Sequence, residues 1–396
     1  MRWSFIDVPA AIEKTAVGKE NQILSSEIEP SGRFPVVDQG QAFIAGYSNA
    51  EARVIRDGLP LVIFGDHTRC LKYVDFPFIL GADGTKVLKP RPDLFDARFF
   101  YFALLSLDIP NRGYNRHFTI LKERKVPRPE KEEQQKIAGV LGLGQRAIEQ
   151  QERLIALTTE LKKALLHRLF TQGLRGEPQK QTEIGPVPES WELVPLGSLA
   201  KVGNGSTPKR DNEGYWKGGT IPWLNSAKIH ERFITQADQF VTDLAVKECH
   251  LPRVKPGSLL VAITGQGKTL GNTALVSFET CINQHLAYAQ FTTARVIPEF
   301  VLWFMQTRYD HLRSISQAGG STKGALTCGY LKTYPVPVPA LGEQREIADM
   351  FAALDRKEKV HHRRCASLTD LFRTLLHQLM TAQIRVHDLE LGIEQI

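Results

Sequence analysis

The chain has 396 residues, 42% hydrophobic and 23% charged, with 50 Lys+Arg against 43 Asp+Glu for a net charge of +7. That length predicts two to four domains, and the composition excludes a disordered or collagen-like chain. No apolar run approaches the ~18 residues of a membrane span, and five scattered cysteines (Cys70, Cys249, Cys281, Cys328, Cys365) include no Cys-x-x-Cys pair.

The amino terminus, MRWSFIDVPAAIEK, has no basic-then-apolar leader, so the expected location is the cytoplasm, with reduced thiols. Residues 1–125 mix short strand-like runs such as LPLVIFG (59–65) with the apolar helical segment DARFFYFALLS (96–106). An extended V-P-x-P follows at 126–129, where proline forbids helix. Apolar residues then fall at helical spacing: Ile137, Val140, Leu141, Leu154, Leu157, Leu161, Leu165 and Leu169. Three glycines at 139, 142 and 144 mark a break or a close helix crossing. The prediction is a short helix over 130–141 and a long one over 145–171, roughly 40 Å in length.

After a linker near Gly173 and Gly176-Glu177-Pro178, residues 187–335 repeat the first plan, with SLLVAITG (258–265) and PEFVLWFMQTR (298–308). Residues 336–396 then predict a short helix over 342–353 and a long one over 355–381. Leu368, Leu371, Phe372, Leu375, Leu376 and Leu379 form its apolar face, and His361-His362 is expected on a solvated polar face.

Residues 126–175 and 336–385 align without a gap, and 18 of the 50 positions are identical, including Glu133/Glu343, Gln134/Gln344, Ile137/Ile347 and Ala138/Ala348. This is an internal duplication. Fainter echoes precede it, such as Trp3-x-Phe5 with Trp191-x-Leu193. The organisation read from it is a variable module (1–125), a helical segment (126–186), a second variable module (187–335) and a second helical segment (336–396). Two like amphipathic helices are expected to pack antiparallel about a pseudo-twofold axis.

Counted by segment, the two variable modules carry +2 and +4, the first helical segment +2 and the last −1. Basic clusters fall in apparent loops: 66–72, 89–91 and 111–118 in the first module, then 203–210, 265–272 and 318–324 in the second. They combine Lys and Arg with the Asn, Gln, Ser and Thr side chains that read base edges. GQGKT (265–269) imitates a phosphate loop, but Ala262 stands where its first glycine belongs. Asp93 with Glu123 and Lys125 resembles a nuclease acidic pair with lysine, but such triplets arise readily in any charged chain and Glu123 lies just before the helical repeat; no catalytic or metal-ligating constellation emerges.

The EQ-x-x-IA stretches after V-P-x-P, together with LTTELKKALLHRLFTQGLRGE (157–177), EIGPVPESWELVPLG (183–197), GSTP (205–208) and GGST (319–322), resemble the specificity subunits of type I restriction–modification systems. The resemblance spans nearly the whole chain. It implies an α+β fold in which two mixed α/β target recognition domains are separated by two long antiparallel, coiled-coil-like helices. It implies a non-catalytic reader of double-stranded DNA, each domain taking one half of a bipartite asymmetric site. The helices would set the spacer, in a shorter class because Thr159-Glu160-Leu161 occurs once, and would dock two methyltransferase subunits that motor–nuclease subunits can join. S-adenosylmethionine, ATP and Mg2+ would be carried by those partners, with no cofactor on this chain.

Loop chemistry nominates Arg69, Lys72, Arg91, Asn115 and Arg116 in the first module as DNA contacts. In the second it nominates Thr207, Lys209, Arg210, Gln266, Lys268, Asn272, Thr322 and Lys323. Partner contacts are expected at Ile137, Leu154, Leu161, Leu165, Ile347, Leu371, Leu375 and Leu379. The rival reading is a duplicated coiled-coil scaffold whose modules bind proteins; steep salt dependence of DNA binding separates the two.

Overall fold

The computed structural model describes residues 3–82, 84–111, 113, 115–265, 268–318 and 326–389. The chain divides into two compact units: unit 1 is Met1–Arg153 with His361–Ile396, and unit 2 is Leu154–Val360. The fold is α+β, and helices α1 (Ala97–Leu105), α2 (Lys131–Gln172), α3 (Pro298–Thr307) and α4 (Leu341–Met380) carry the sequence repeat.

Unit 1 holds two four-stranded sheets. The first runs Ile12–Glu13, Thr85–Pro90, Leu61–Gly65, Leu71–Val74, all antiparallel. The second, Gln22–Ile23, Ile79–Gly81, Phe34–Val37, Gly46–Ser48, mixes parallel and antiparallel pairs. Strand Leu61–Gly65 is buried on both faces and therefore reads as a continuous apolar run. Helix α1 starts where the Asp96 carboxylate accepts from the Phe99 N–H at 2.9 Å, and it buries every residue from Phe99 to Leu104.

Unit 2 repeats this plan with a five-stranded sheet in the order Ala200–Asn204, Leu286–Phe291, Leu259–Ala262, Thr273–Val276, Phe233–Ile234. A three-stranded sheet of Gln239–Val241, Ile221–Leu224 and Cys281–Ile282 accompanies it. Helix α3 opens on Pro298, whose missing N–H needs no partner in a first turn, and buries Phe300 to Met305.

The V-P-x-P segments form short antiparallel ribbons, Ser4–Asp7 with Lys125–Arg128 in unit 1 and Glu192–Pro195 with Pro335–Val338 in unit 2. The following Glu-Gln pair ties each module to its helix. In unit 1 the Trp3 indole donates to Glu133 at 3.1 Å; in unit 2 the Trp191 indole donates to Glu343 at 3.2 Å. Gln134 is buried, accepts from the Asp96 N–H and donates to the carbonyls of Leu94 and Pro129. Gln344 is likewise buried, accepts from the Ile297 N–H and donates to the carbonyls of Arg295 and Pro339.

Two expected helix breaks are absent. Helix α2 runs unbroken for 42 residues and α4 for 40, about 60 Å each at ~1.5 Å per residue. The glycines of α2 serve the other purpose foreseen for them, close approach: a Cβ on Gly144 would lie 3.2 Å from the Phe372 ring. Glycine costs a helix only ~1 kcal/mol per residue, which packing readily exceeds. The helix halves run antiparallel inside each unit. Gln151 faces His361 and Gly144 faces Phe372 in unit 1, while Thr159 faces Glu358 and Phe170 stacks on Phe351 in unit 2. His361 is therefore not solvated as expected; it is buried, with Nδ1 2.8 Å from the Gln151 amide oxygen.

Candidate nucleic-acid interface

In unit 2 the register of the large sheet gathers three loops. Asn204 lies opposite Ala287 and Ala262 opposite Leu286, so the chain leaves the sheet at 205, 263 and 285 on one edge. Gly205 is required there, because a Cβ would lie 1.8 Å from the Ile282 carbonyl oxygen. Two indoles then pin the 206–210 backbone: Trp223 donates to the Ser206 carbonyl at 3.2 Å and Trp216 to the Lys209 carbonyl at 3.0 Å. The Arg210 guanidinium sits 3.9 Å from the Trp216 ring centroid and 4.9 Å from that of Trp223, and it donates to Gln239.

Lys209 and Lys268 are exposed at this edge. The Lys268 carbonyl accepts from the Tyr309 hydroxyl and from the Asn272 amide, so Asn272 supports the loop while remaining half-buried. Thr207 donates to Gln284, a residue the loop chemistry overlooked because it lies outside any basic cluster. Gln266, Thr322 and Lys323 lie outside the described residues.

Unit 1 gathers a matching edge. Gly65 lies opposite Thr85 and Phe64 opposite Leu71, so the 66–70 turn and Gly84, whose carbonyl accepts from the Asp66 N–H, emerge together. The N–H groups of His117 and Phe118 donate to the Asp66 carbonyl and carboxylate, both at 2.8 Å, and this draws 115–118 to the same edge. Asn115 and Arg116 are exposed there, and Arg69, at φ 62°, donates to the Ile109 carbonyl. Lys86 and Lys122, absent from the loop-based nominations, flank the Phe118 ring at 5.9 and 5.4 Å. Lys86 belongs to the Thr85–Pro90 strand and is half-buried, so no loop pattern could have marked it.

Two nominated cations stand elsewhere. Lys72 points inward with a side chain only 4% exposed and donates to the carbonyls of Asp38 and Ala42. Burial lowers its pKa despite the neighbouring Asp38 carboxylate. It is structural, because those acceptors lie some thirty residues away in sequence. Arg91 follows the far end of the Thr85–Pro90 strand and forks onto Asp93 at 2.8 and 3.2 Å.

The helices divide similarly. Ile137 and Leu379 lie in the core of unit 1 and Ile347 in that of unit 2, so none of the three presents a docking surface. Leu165 packs partly buried against the unit 2 core and Leu375 against that of unit 1, while Leu154 is half-buried. Leu161 and Leu371 are half-exposed, at 50% and 53%, and Leu157 joins Leu161 one turn earlier. Among the described residues no helix is long and apolar enough to cross a membrane.

The chain's relatives agree in kind. Residues 188–370 match the family model for the type I restriction modification DNA specificity domain. The specificity subunit of the EcoR124I/EcoR124II type I restriction enzyme of Escherichia coli is 23% identical over 330 residues, covering 81% of this chain and 79% of that one. The MjaIX type I specificity subunit of Methanocaldococcus jannaschii is 30% identical over 193 residues, covering 47% of this chain and 43% of that one. Among solved structures, the type I restriction–modification S subunit of M. genitalium superposes with a TM-score of 0.64 at 18% identity, covering 96% of each chain.

Proposed function

We propose that the chain acts as a type I restriction–modification specificity subunit, a DNA sequence-recognition component like its relatives, and that each unit reads one half of a bipartite duplex site. The observation that carries this is the shared edge: the sheet register in unit 2, and the register together with the Asp66 hydrogen bonds in unit 1, bring separate cation-bearing segments to one end of the module. Lysine and arginine there neutralise phosphates, and the amide and hydroxyl side chains among them read base edges. Lys209, Arg210 and Lys268 serve unit 2; Arg69, Lys86, Asn115, Arg116 and Lys122 serve unit 1.

The same reading makes α2 and α4 the element that fixes the spacer, and gives the exposed Leu157 and Leu161 of unit 2 and the exposed Leu371 of unit 1 to methyltransferase subunits. S-adenosylmethionine belongs to those subunits, and ATP with Mg2+ to motor–nuclease subunits, so the chain itself is non-catalytic. Kinship with DNA specificity subunits disfavours the protein-binding scaffold. Replacing residues 187–335 by those of a relative, in complex with methyltransferase, tests the modular claim. One half-site should change while the other stays, and a change in both would sink it.

A further inference from the structure

Gln284 stands at the turn between strands Cys281–Ile282 and Leu286–Phe291, exposed at the unit 2 edge. Its neighbours are anchored. The Asn283 N–H donates to the Leu224 carbonyl at 2.9 Å, the His285 N–H to the Asn283 side chain at 3.1 Å, and the Ile263 N–H to the His285 carbonyl at 3.0 Å. The Gln284 side chain is held as well. Its Oε1 accepts from the Thr207 hydroxyl, its Nε2 lies 3.3 Å from His285 Nε2, and His285 Nδ1 bonds the Thr264 hydroxyl. A ring nitrogen that accepts an amide N–H is unprotonated, so Nδ1 carries the proton and donates to Thr264. Four side chains from three loops thus form one hydrogen-bonded row.

We infer that Gln284 selects an adenine within the half-site read by unit 2, with Thr207, His285 and Thr264 positioning its amide. The inference rests on the DNA-reading role proposed above. A primary amide has two N–H donors and two oxygen lone pairs. One of each is used in the row; among the described residues, one of each remains. A donor beside an acceptor complements adenine, which offers N7 as acceptor and N6–H as donor in the major groove. Guanine offers two acceptors, cytosine a donor alone, and thymine an acceptor beside a methyl group, so none of them satisfies both atoms. Turning the amide over leaves the same complement. An exposed glutamine is ordinarily mobile; here the rotamer is fixed before DNA arrives, which favours binding.

The test uses the full chain co-expressed with its methyltransferase subunits, with modified sites mapped across a genome. Gln284→Ala should relax one adenine position in a single half-site, raising modification of sites with another base there about tenfold or more. Gln284→Glu, an acceptor only, should move that position toward cytosine, and Thr207→Val should relax it in part. An unchanged motif with modification intact overturns the inference, as does relaxation in both half-sites. If Gln284→Ala abolishes modification, the wild-type complex decides on duplexes carrying single 7-deazaadenine replacements, which lack the N7 acceptor. One position in the unit 2 half-site should then lose about tenfold in affinity, and absence of such a position overturns the assignment. A wild-type complex that recognises no sequence would instead fell the DNA-reading role itself.

Discussion

Lys162 of α2 and Asp355 of α4 form an ion pair inside unit 2, with side chains 8% and 10% exposed. Arg232 reaches the second Asp355 oxygen at 2.6 Å, Glu358 approaches Lys162 at 3.3 Å, and both cations lie within about 5 Å of the Trp303 ring centroid. Two positive and two negative charges thus balance in a confined space. Removing one partner of such a cluster strands the others. Asp355→Ala should cost about 3–5 kcal/mol in urea unfolding, whereas Lys162→Met with Asp355→Leu should cost less than Asp355→Ala alone. Equal losses would show that packing, not charge pairing, governs the site.

Gln134 and Gln344 make corresponding triplets of hydrogen bonds in the two units. Alanine at either position leaves one N–H and two carbonyls without their partner, at about 1–3 kcal/mol. Thermal unfolding should show similar losses for Gln134→Ala and Gln344→Ala, while glutamate, which cannot donate, should rescue neither.

Arg210 and Lys72 both belong to basic clusters in the sequence, yet Arg210 is exposed on the Trp216 ring and Lys72 is buried, so they should behave oppositely. Arg210→Ala should weaken duplex binding and make the slope of log K against log salt shallower by about 1. Lys72→Met should leave that slope alone and lower stability, because it strands the carbonyls of Asp38 and Ala42. Affinity titrations at several salt concentrations, beside unfolding curves, distinguish these outcomes.

Tyr101 is buried in unit 1, and burial, with a smaller push from Glu149, raises its pKa from 10.0 to about 12. The folded chain therefore keeps a proton that the unfolded chain loses. Stability from this group is fully present below pH 10 and falls as pH rises from about 10 to about 12. Tyr101→Phe should flatten that part of the alkaline unfolding profile, and an unchanged slope would mean that other groups set it.

The duplication, the proline-bounded ribbons and the apolar helices α1 and α3 were legible because they depend on local spacing. The unbroken course of α2 was not, since the partner that makes Gly144 useful, Phe372, lies 228 residues away. Lys72 and His361 misled for the same reason: Asp38 and Gln151 turn them inward from distant parts of the chain. Gln284 has no charge signature, because residues 281–291 contain no Lys, Arg, Asp or Glu and the cations of its edge come from other loops. Arg69, Asn115 and Arg116 share an edge only through Asp66, a buried carboxylate with no signature in sequence.

The sockets that receive Gln134 and Gln344 are built wholly from main-chain atoms: the Leu94 and Pro129 carbonyls with the Asp96 N–H, and the Arg295 and Pro339 carbonyls with the Ile297 N–H. Peptide groups are the same whatever side chain they bear. At these two sockets, therefore, residues 94–96 and 295–297 can change their side chains without releasing the glutamine that clasps them, and what remains particular to each joint is its tryptophan and apolar packing.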